Sequence, residues 1–86
     1  MMADEKTVLR LLKIARGQLD GIIKMVEEDR YCMDISQQIL AADALLRRVN
    51  KEVLTAHLKH CVEHAHSDQE RAQKIDELVQ VLGKLL

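Results

Sequence analysis

The sequence predicts an all-α fold of three helices, the second unusually long for so short a chain. Three observations point to it. The chain has no proline and only three glycines, so little inside it breaks a helix. Its apolar side chains are Leu, Ile, Val, Met and Ala, with a single aromatic, Tyr31. Those side chains recur at the i, i+3, i+4, i+7 spacing of a helix face and do not alternate as in a strand. No linker, repeat or low-complexity segment divides residues 1–86, which read as one domain. That length is below the size at which one hydrophobic core is comfortably stable alone, so an oligomer is expected.

The first helix runs from about Asp4 to Glu28 and carries Val8, Leu11, Leu12, Ala15, Leu19, Ile22, Ile23 and Val26 at helical spacing. Asp4 or Thr7 caps its start. Gly17 and Gly21 sit inside it at a cost of roughly 1 kcal/mol each relative to Ala. A small residue repeated at that interval reads as close approach by another helix. The charged run Glu27-Glu28-Asp29-Arg30 marks a break before the second helix, which extends from Cys32 to about Glu63. Ser67-Asp68-Gln69-Glu70 is a capping box, with Ser67 as N-cap and Glu70 reaching back. It opens a short third helix carrying Ile75, Leu78, Val79 and Leu82, which Gly83 ends or frays.

Composition excludes several classes. Charges interrupt every apolar stretch, so no membrane span is expected. The segment MMADEKTVLR has no apolar core of a secretory signal. Two cysteines 29 positions apart make no disulfide framework, and the expectation is a cytoplasmic protein. Thirteen Lys and Arg balance fourteen Asp and Glu, so any contact with nucleic acid must come from local basic clusters.

The residues that carry chemistry are Cys32, His57 and Cys61. His57 and Cys61 lie four apart on one helix face. Cys32 precedes them by 25 and 29 residues. At about 100° per residue both intervals are whole turns to within roughly 20°, so the three side chains share a stripe. Along the axis, Cys32 and His57 are separated by roughly 37 Å, too far for one chain to close a site. Two copies packed antiparallel close it twice, about a two-fold axis near Leu45 and Leu46. Ile39, Leu46, Val53 and Leu54 would form the seam, with Ser36, Asp43 and Asn50 interrupting it and fixing its register.

Two thiolates and an imidazole are a soft ligand set that selects Cu(I), with Zn(II) the main competitor. Three ligands suit trigonal Cu(I), whereas structural zinc takes four, a place that His60 or a water could fill. His60 lies about 100° round the helix from Cys61. His64 and His66 lie past the aligned stripe, where solvated histidines are the default. The triad also fits a purely structural role, two cysteines as small hydrophobes beside a satisfied histidine. A Cys–His nucleophile is the remaining reading. The sequence offers no orienting acid, oxyanion loop or phosphate cradle for it, so no enzyme is expected.

Two basic clusters stand out. Arg47, Arg48 and Lys51 sit together on the second helix, with Arg48 roughly 160° and Lys51 about 100° from the Cys32 stripe, clear of the seam. Arg10, Lys13 and Arg16 form a run on the first. A symmetric oligomer multiplies both into a surface able to contact phosphates, although acidic neighbours equally allow an ordinary solvated face.

The segments RGQLDGIIKMVEEDRYCMDI and LTAHLKHC resemble the CsoR family of bacterial copper-sensing transcriptional repressors, over about Leu9 to Glu77. The resemblance implies that Cys32, His57 and Cys61 form an intersubunit Cu(I) site, with Tyr31 and Glu77 as outer partners of its ligands. It also implies a homotetramer built as a dimer of antiparallel dimers, without a familiar DNA-binding motif. The copper-free protein would bind operator DNA, and Cu(I) would release it and derepress copper export or handling genes. Arg48 and Lys51 match the family's basic positions on the second helix. On the first helix the family's usual arginine position is occupied by Leu11, with Arg10 one place earlier.

Related branches of the family change the ligands. The RcnR-like nickel and cobalt sensors use a histidine near the N-terminus, and this chain has none before His57. The FrmR-like formaldehyde sensors lack the second cysteine, present here as Cys61. The CstR-like persulfide sensors lack the histidine, present here as His57. Persulfide or oxidant sensing, by a bridge between Cys32 and Cys61 of opposite chains, is the alternative on the same scaffold, with a nickel, cobalt or zinc sensor behind it.

Overall fold

The computed structural model describes residues 1–85. It holds three α-helices, α1 (Glu5–Glu27), α2 (Cys32–His64) and α3 (Asp68–Leu85), and no strand among the described residues. Each boundary expected from the sequence lies within one or two residues of the observed one, except that α3 runs through Gly83 to Leu85.

Local chemistry explains the ends. Asp4 is the N-cap of α1: its carboxylate accepts from the Thr7 hydroxyl at 2.6 Å and the Thr7 amide at 3.1 Å, satisfying one of the orphan amides of the first turn. These bonds, the hydroxyl's first, hold the Asp4 carboxyl below its usual value. The cap therefore contributes above the ordinary carboxylate range and is lost as pH falls through the lowered value.

Between α1 and α2 the chain makes a Schellman turn. The Arg30 amide donates to the Met25 carbonyl at 3.0 Å and the Asp29 amide to the Val26 carbonyl at 3.1 Å. Asp29 holds the left-handed conformation, φ 54°, that this motif usually gives to glycine. Asp29→Gly should therefore raise stability by about 0.5–1 kcal/mol, read as an upward shift of the thermal midpoint. A lowered midpoint would show that the Asp29 side chain stabilises the turn.

At α3, the Glu70 amide donates to Ser67 Oγ at 3.0 Å, as the capping box requires. The return bond differs from the expected one, because Glu70 Oε2 accepts from the His66 amide at 3.1 Å, one residue before the cap. His66 is thereby tied through its backbone to the first turn of α3.

α1 and α3 both dock on α2 and do not touch each other. α1 lays Val8 and Leu11 on Val49, with Leu45 and Val53 packed alongside, and Ala15 and Ala42 are buried as well. α3 lies on the other side, where Leu78, Leu82 and Leu85 line a groove with Leu54 and Leu58. Those two sides of α2 are roughly 150° apart, so the helices lie abreast and the body is flat, 56 × 26 × 12 Å. Its radius of gyration is 17.2 Å, against about 12 Å for a compact globule of this length.

A row of helices cannot enclose a core, and large apolar side chains stay outside: Ile39 is 51% exposed, Leu46 43%, Ile23 56% and Val79 58%. The glycine expectation is corrected within the chain. A Cβ built at Gly17 or Gly21 meets nothing within 4 Å, so no helix of this chain approaches that face of α1.

Candidate metal centre

α2 runs without interruption through all three expected ligands, so its phase and length set the site. Cys61 Sγ lies 3.5 Å from His57 Nε2 one turn away. Bonds of about 2.3 Å to sulfur and 2.0 Å to nitrogen, opened to roughly 110–120°, subtend about 3.5–3.8 Å between the donors. The pair is therefore already spaced to hold one ion. Both cysteines are free thiols, Cys32 exposed and Cys61 half-buried.

Cys32 is the first residue of α2 and stands roughly 37 Å up the helix from His57. Accordingly, no three His, Cys, Asp or Glu side chains are placed to hold a metal ion among the described residues of one chain. Tyr31, the N-cap of α2, makes no capping bond with its side chain and is 67% exposed, at the Cys32 end.

α3 folds back over the far end of α2 and makes a hollow there, lined by His57, His60, Cys61, His64, Glu70 and Lys74. His60, set aside on helical phase, and His64, set aside as past the aligned stripe, share this hollow. Their rings stack with centroids 4.3 Å apart, and His64 Nδ1 donates to the His60 carbonyl at 2.9 Å. The carboxylate at the hollow is that of Glu70. Glu77 sits two turns further along α3, where it pairs with Lys74 at 3.9 Å and is 62% exposed. Glu70 and Lys74 were missed as neighbours of the site because only the return of α3 brings them there.

The basic residues divide. Arg48 and Lys51 border a shallow hollow with Glu52 and Thr55. Arg47 turns the other way: its Nε meets Asp43 Oδ2 at 2.9 Å and its Nη1 donates to the Leu85 carbonyl at 2.6 Å. On α1, Lys6, Arg10 and Lys13 border one surface hollow with Leu9 and Ile14. The i, i+4, i+7 spacing of those three cations, which brings in Lys6, was readable in the sequence. Arg16 lies about 120° round from Arg10. Leu11 is the most buried large side chain, 1% exposed, so a charge at that position would enter the core and Arg10 presents the charge of this turn.

A family model described as the metal-sensitive transcriptional repressor matches residues 4–84. The chain belongs to that family. Among curated members of the metal-sensitive repressor family, the copper-sensing transcriptional repressor CsoR of Mycobacterium ulcerans is 43% identical over 75 residues, 87% of this chain and 64% of its own length. CsoR of Bacillus subtilis is 40% identical over 81 residues, 94% of this chain and 80% of its own length. The chain thus spans under two thirds of the length of the mycobacterial relative.

The fold agrees with solved members. The crystal structure of CsoR with Cu(I) from Geobacillus thermodenitrificans superposes with a TM-score of 0.82 at 39% identity, covering 93% of this chain and 83% of the other. The nickel-responsive regulator InrS gives 0.81 at 26% identity, covering 100% and 97%. The three-helix fold read from the sequence is the fold of these two solved proteins.

Proposed function

We propose that this chain is a copper(I)-responsive transcriptional repressor whose metal site forms between two copies. The observation that carries it is the stripe on α2: a preformed His57–Cys61 pair at one end and Cys32, in phase with it, at the other end of one unbroken helix. Only a second, antiparallel α2 brings a Cys32 to that pair. The set of two thiolates and one imidazole suits Cu(I), and the relatives named as copper sensors and the Cu(I)-bound neighbour point the same way.

The rest of the molecule fits an assembly. The open side of α2 presents Ile39 and Leu46 beside the stripe. Gln18 Oε1 is buried without a hydrogen-bond partner, an orphan acceptor that a second chain can satisfy. Pairing of α2 with α2 gives the dimer, and the family's implied dimer of dimers gives a homotetramer. Tyr31 and Glu77 serve as outer partners of the ligands, and Arg48, Lys51, Arg10, Lys13 and Arg16 supply phosphate contacts, with Lys6 beside them. Among the described residues no helix is long and apolar enough to cross a membrane, and a cytoplasmic location follows from operator binding. The protein acts as a repressor and not as an enzyme.

The copper-free form binds operator DNA, and Cu(I) favours a conformation that binds it less well. By linkage, DNA weakens Cu(I) binding by the same factor. The test is operator binding by the reduced protein with and without one Cu(I) per chain. Release by Cu(I), abolished in His57→Ala, supports the reading. Release by persulfide or oxidant that survives His57→Ala replaces it with thiol sensing, and release by Ni(II), Co(II) or Zn(II) alone replaces the metal.

Arg48→Ala should weaken operator binding by roughly 5- to 100-fold and lower the salt dependence by about one unit for each phosphate no longer neutralised, with Cu(I) affinity unchanged. A comparable loss of copper affinity would remove Arg48 from the DNA surface.

A further inference from the structure

Among the described residues, Arg47 makes the one side-chain hydrogen bond that ties α3 to α2. Its Nη1 reaches the Leu85 carbonyl 38 residues away, and every other side-chain hydrogen bond joins residues within four positions. We propose that Arg47 is a positioning residue, a clamp on the last turn of α3 that couples the metal site to the basic face. This inference rests on the repressor reading and names how its two sites communicate.

The chemistry of the contact is favourable. The last carbonyls of a helix have no partner within it and carry the negative end of the helix dipole. Asp43 holds the guanidinium in place through Nε at 2.9 Å, leaving Nη1 aimed at Leu85. The fork thus bridges a carboxylate on α2 and a carbonyl on α3.

Placement gives the contact its role. α3 is 18 residues long, about 27 Å. Glu70 and Lys74, near its first end, line the hollow of His57 and Cys61, and its last residue meets Arg47. Lys51, one turn on from Arg47, lines the groove that holds Leu78, Leu82 and Leu85 and also borders the Arg48 hollow. A shift of α3 at the metal end therefore reaches Arg47 and Lys51, which flank Arg48. The Arg47 side chain is 58% exposed and that of Asp43 53%, so the clamp is weak enough to open, as a switch requires.

The test compares wild-type protein with Arg47→Gln and Arg47→Lys by amide hydrogen exchange, Cu(I) affinity and operator binding. In Arg47→Gln the copper-free protein should exchange the amides of residues 81–85 about tenfold faster. Its Cu(I) affinity should stay within about threefold of wild type, and the weakening of operator binding by Cu(I) should shrink about tenfold or more. Arg47→Lys, which keeps the positive charge with its N–H donors, should restore part of both effects.

Unchanged exchange at 81–85 overturns the clamp. So does an operator affinity that falls equally with and without Cu(I) while the salt slope drops, which would make Arg47 a phosphate contact. A wild-type protein whose operator affinity ignores copper sinks the repressor reading, and the exchange comparison still decides the clamp.

Discussion

Cys32→Ala should abolish tight Cu(I) binding even though every chain keeps its His57–Cys61 pair, 3.5 Å apart. The expected loss is large because a thiolate ligand is removed outright. Disturbing only an outer partner of a metal ligand already costs about 10- to 100-fold, and losing the ligand exceeds that. The remaining pair is a two-donor fragment on the face of one helix, open to water.

The consequence that separates an intersubunit site from any single-chain arrangement appears in mixed dimers. A Cys32→Ala chain is paired with a chain carrying His57→Ala and Cys61→Ser. Each homodimer lacks both sites. In the mixed dimer one site inherits every defect, and the other receives Cys32 from the second chain and His57 and Cys61 from the first. One tightly bound Cu(I) per mixed dimer is the expected result, measured by anaerobic chelator competition and by X-ray absorption at the copper edge, with a sulfur-rich trigonal signature. No binding by the mixed dimer would place the three residues in separate sites and remove the antiparallel pairing with them.

The three helices and the ligand stripe were legible because both depend on local rules. The absence of proline, the break at Glu27–Arg30 and the serine–glutamate pair at 67 and 70 set the boundaries. An unbroken helix then fixes the phase of Cys32 relative to His57 and Cys61 by counting. What escaped the sequence depends on where one helix lands on another. Helical phase turns His60 away from Cys61, yet the return of α3 over this end of α2 makes a hollow that takes in His60 and His64 with His57 and Cys61. Arg47 reads as one more cation beside Arg48, and only the return of α3 supplies the carbonyl that holds it.

The glycine pattern failed for the converse reason. A small residue at each turn of α1 permits close approach without saying whether the approaching body belongs to the same chain, and within this chain nothing arrives. Leu11 shows a limit of the resemblance: the position at which the resemblance implies an arginine is here part of the core, and Arg10 presents the charge of that turn.

Leu46→Glu should convert the proposed assembly into a poorly structured monomer. In an antiparallel α2 pair with Cys32 opposite the His57–Cys61 pair, the two-fold axis falls between positions 45 and 46, so the two Leu46 side chains approach each other there. Substitution removes the burial of two leucines, worth about 1.5–3 kcal/mol each, and sets two carboxylates of like charge together away from water, which costs further. A single chain is ill equipped to absorb this. Among the described residues its buried core is Val8, Leu11, Ala15, Ala42 and Val49, its helices lie abreast, and most of its large apolar side chains stay exposed in the single chain. Folding and association are therefore expected to be coupled, with stability rising with protomer concentration. Sedimentation should show the wild type as a dimer or tetramer and Leu46→Glu as a monomer, with helical circular dichroism lost at lower temperature and lower concentration. Ile39→Glu, on the same stripe and 51% exposed in the single chain, should act in the same direction. Because Leu46 also borders the end of α3, Ile39→Glu shows whether dissociation follows from the seam itself. A Leu46→Glu protein that remains a tight dimer with one Cu(I) site per chain would place the two-fold axis elsewhere on α2 and force a different partner for Cys32.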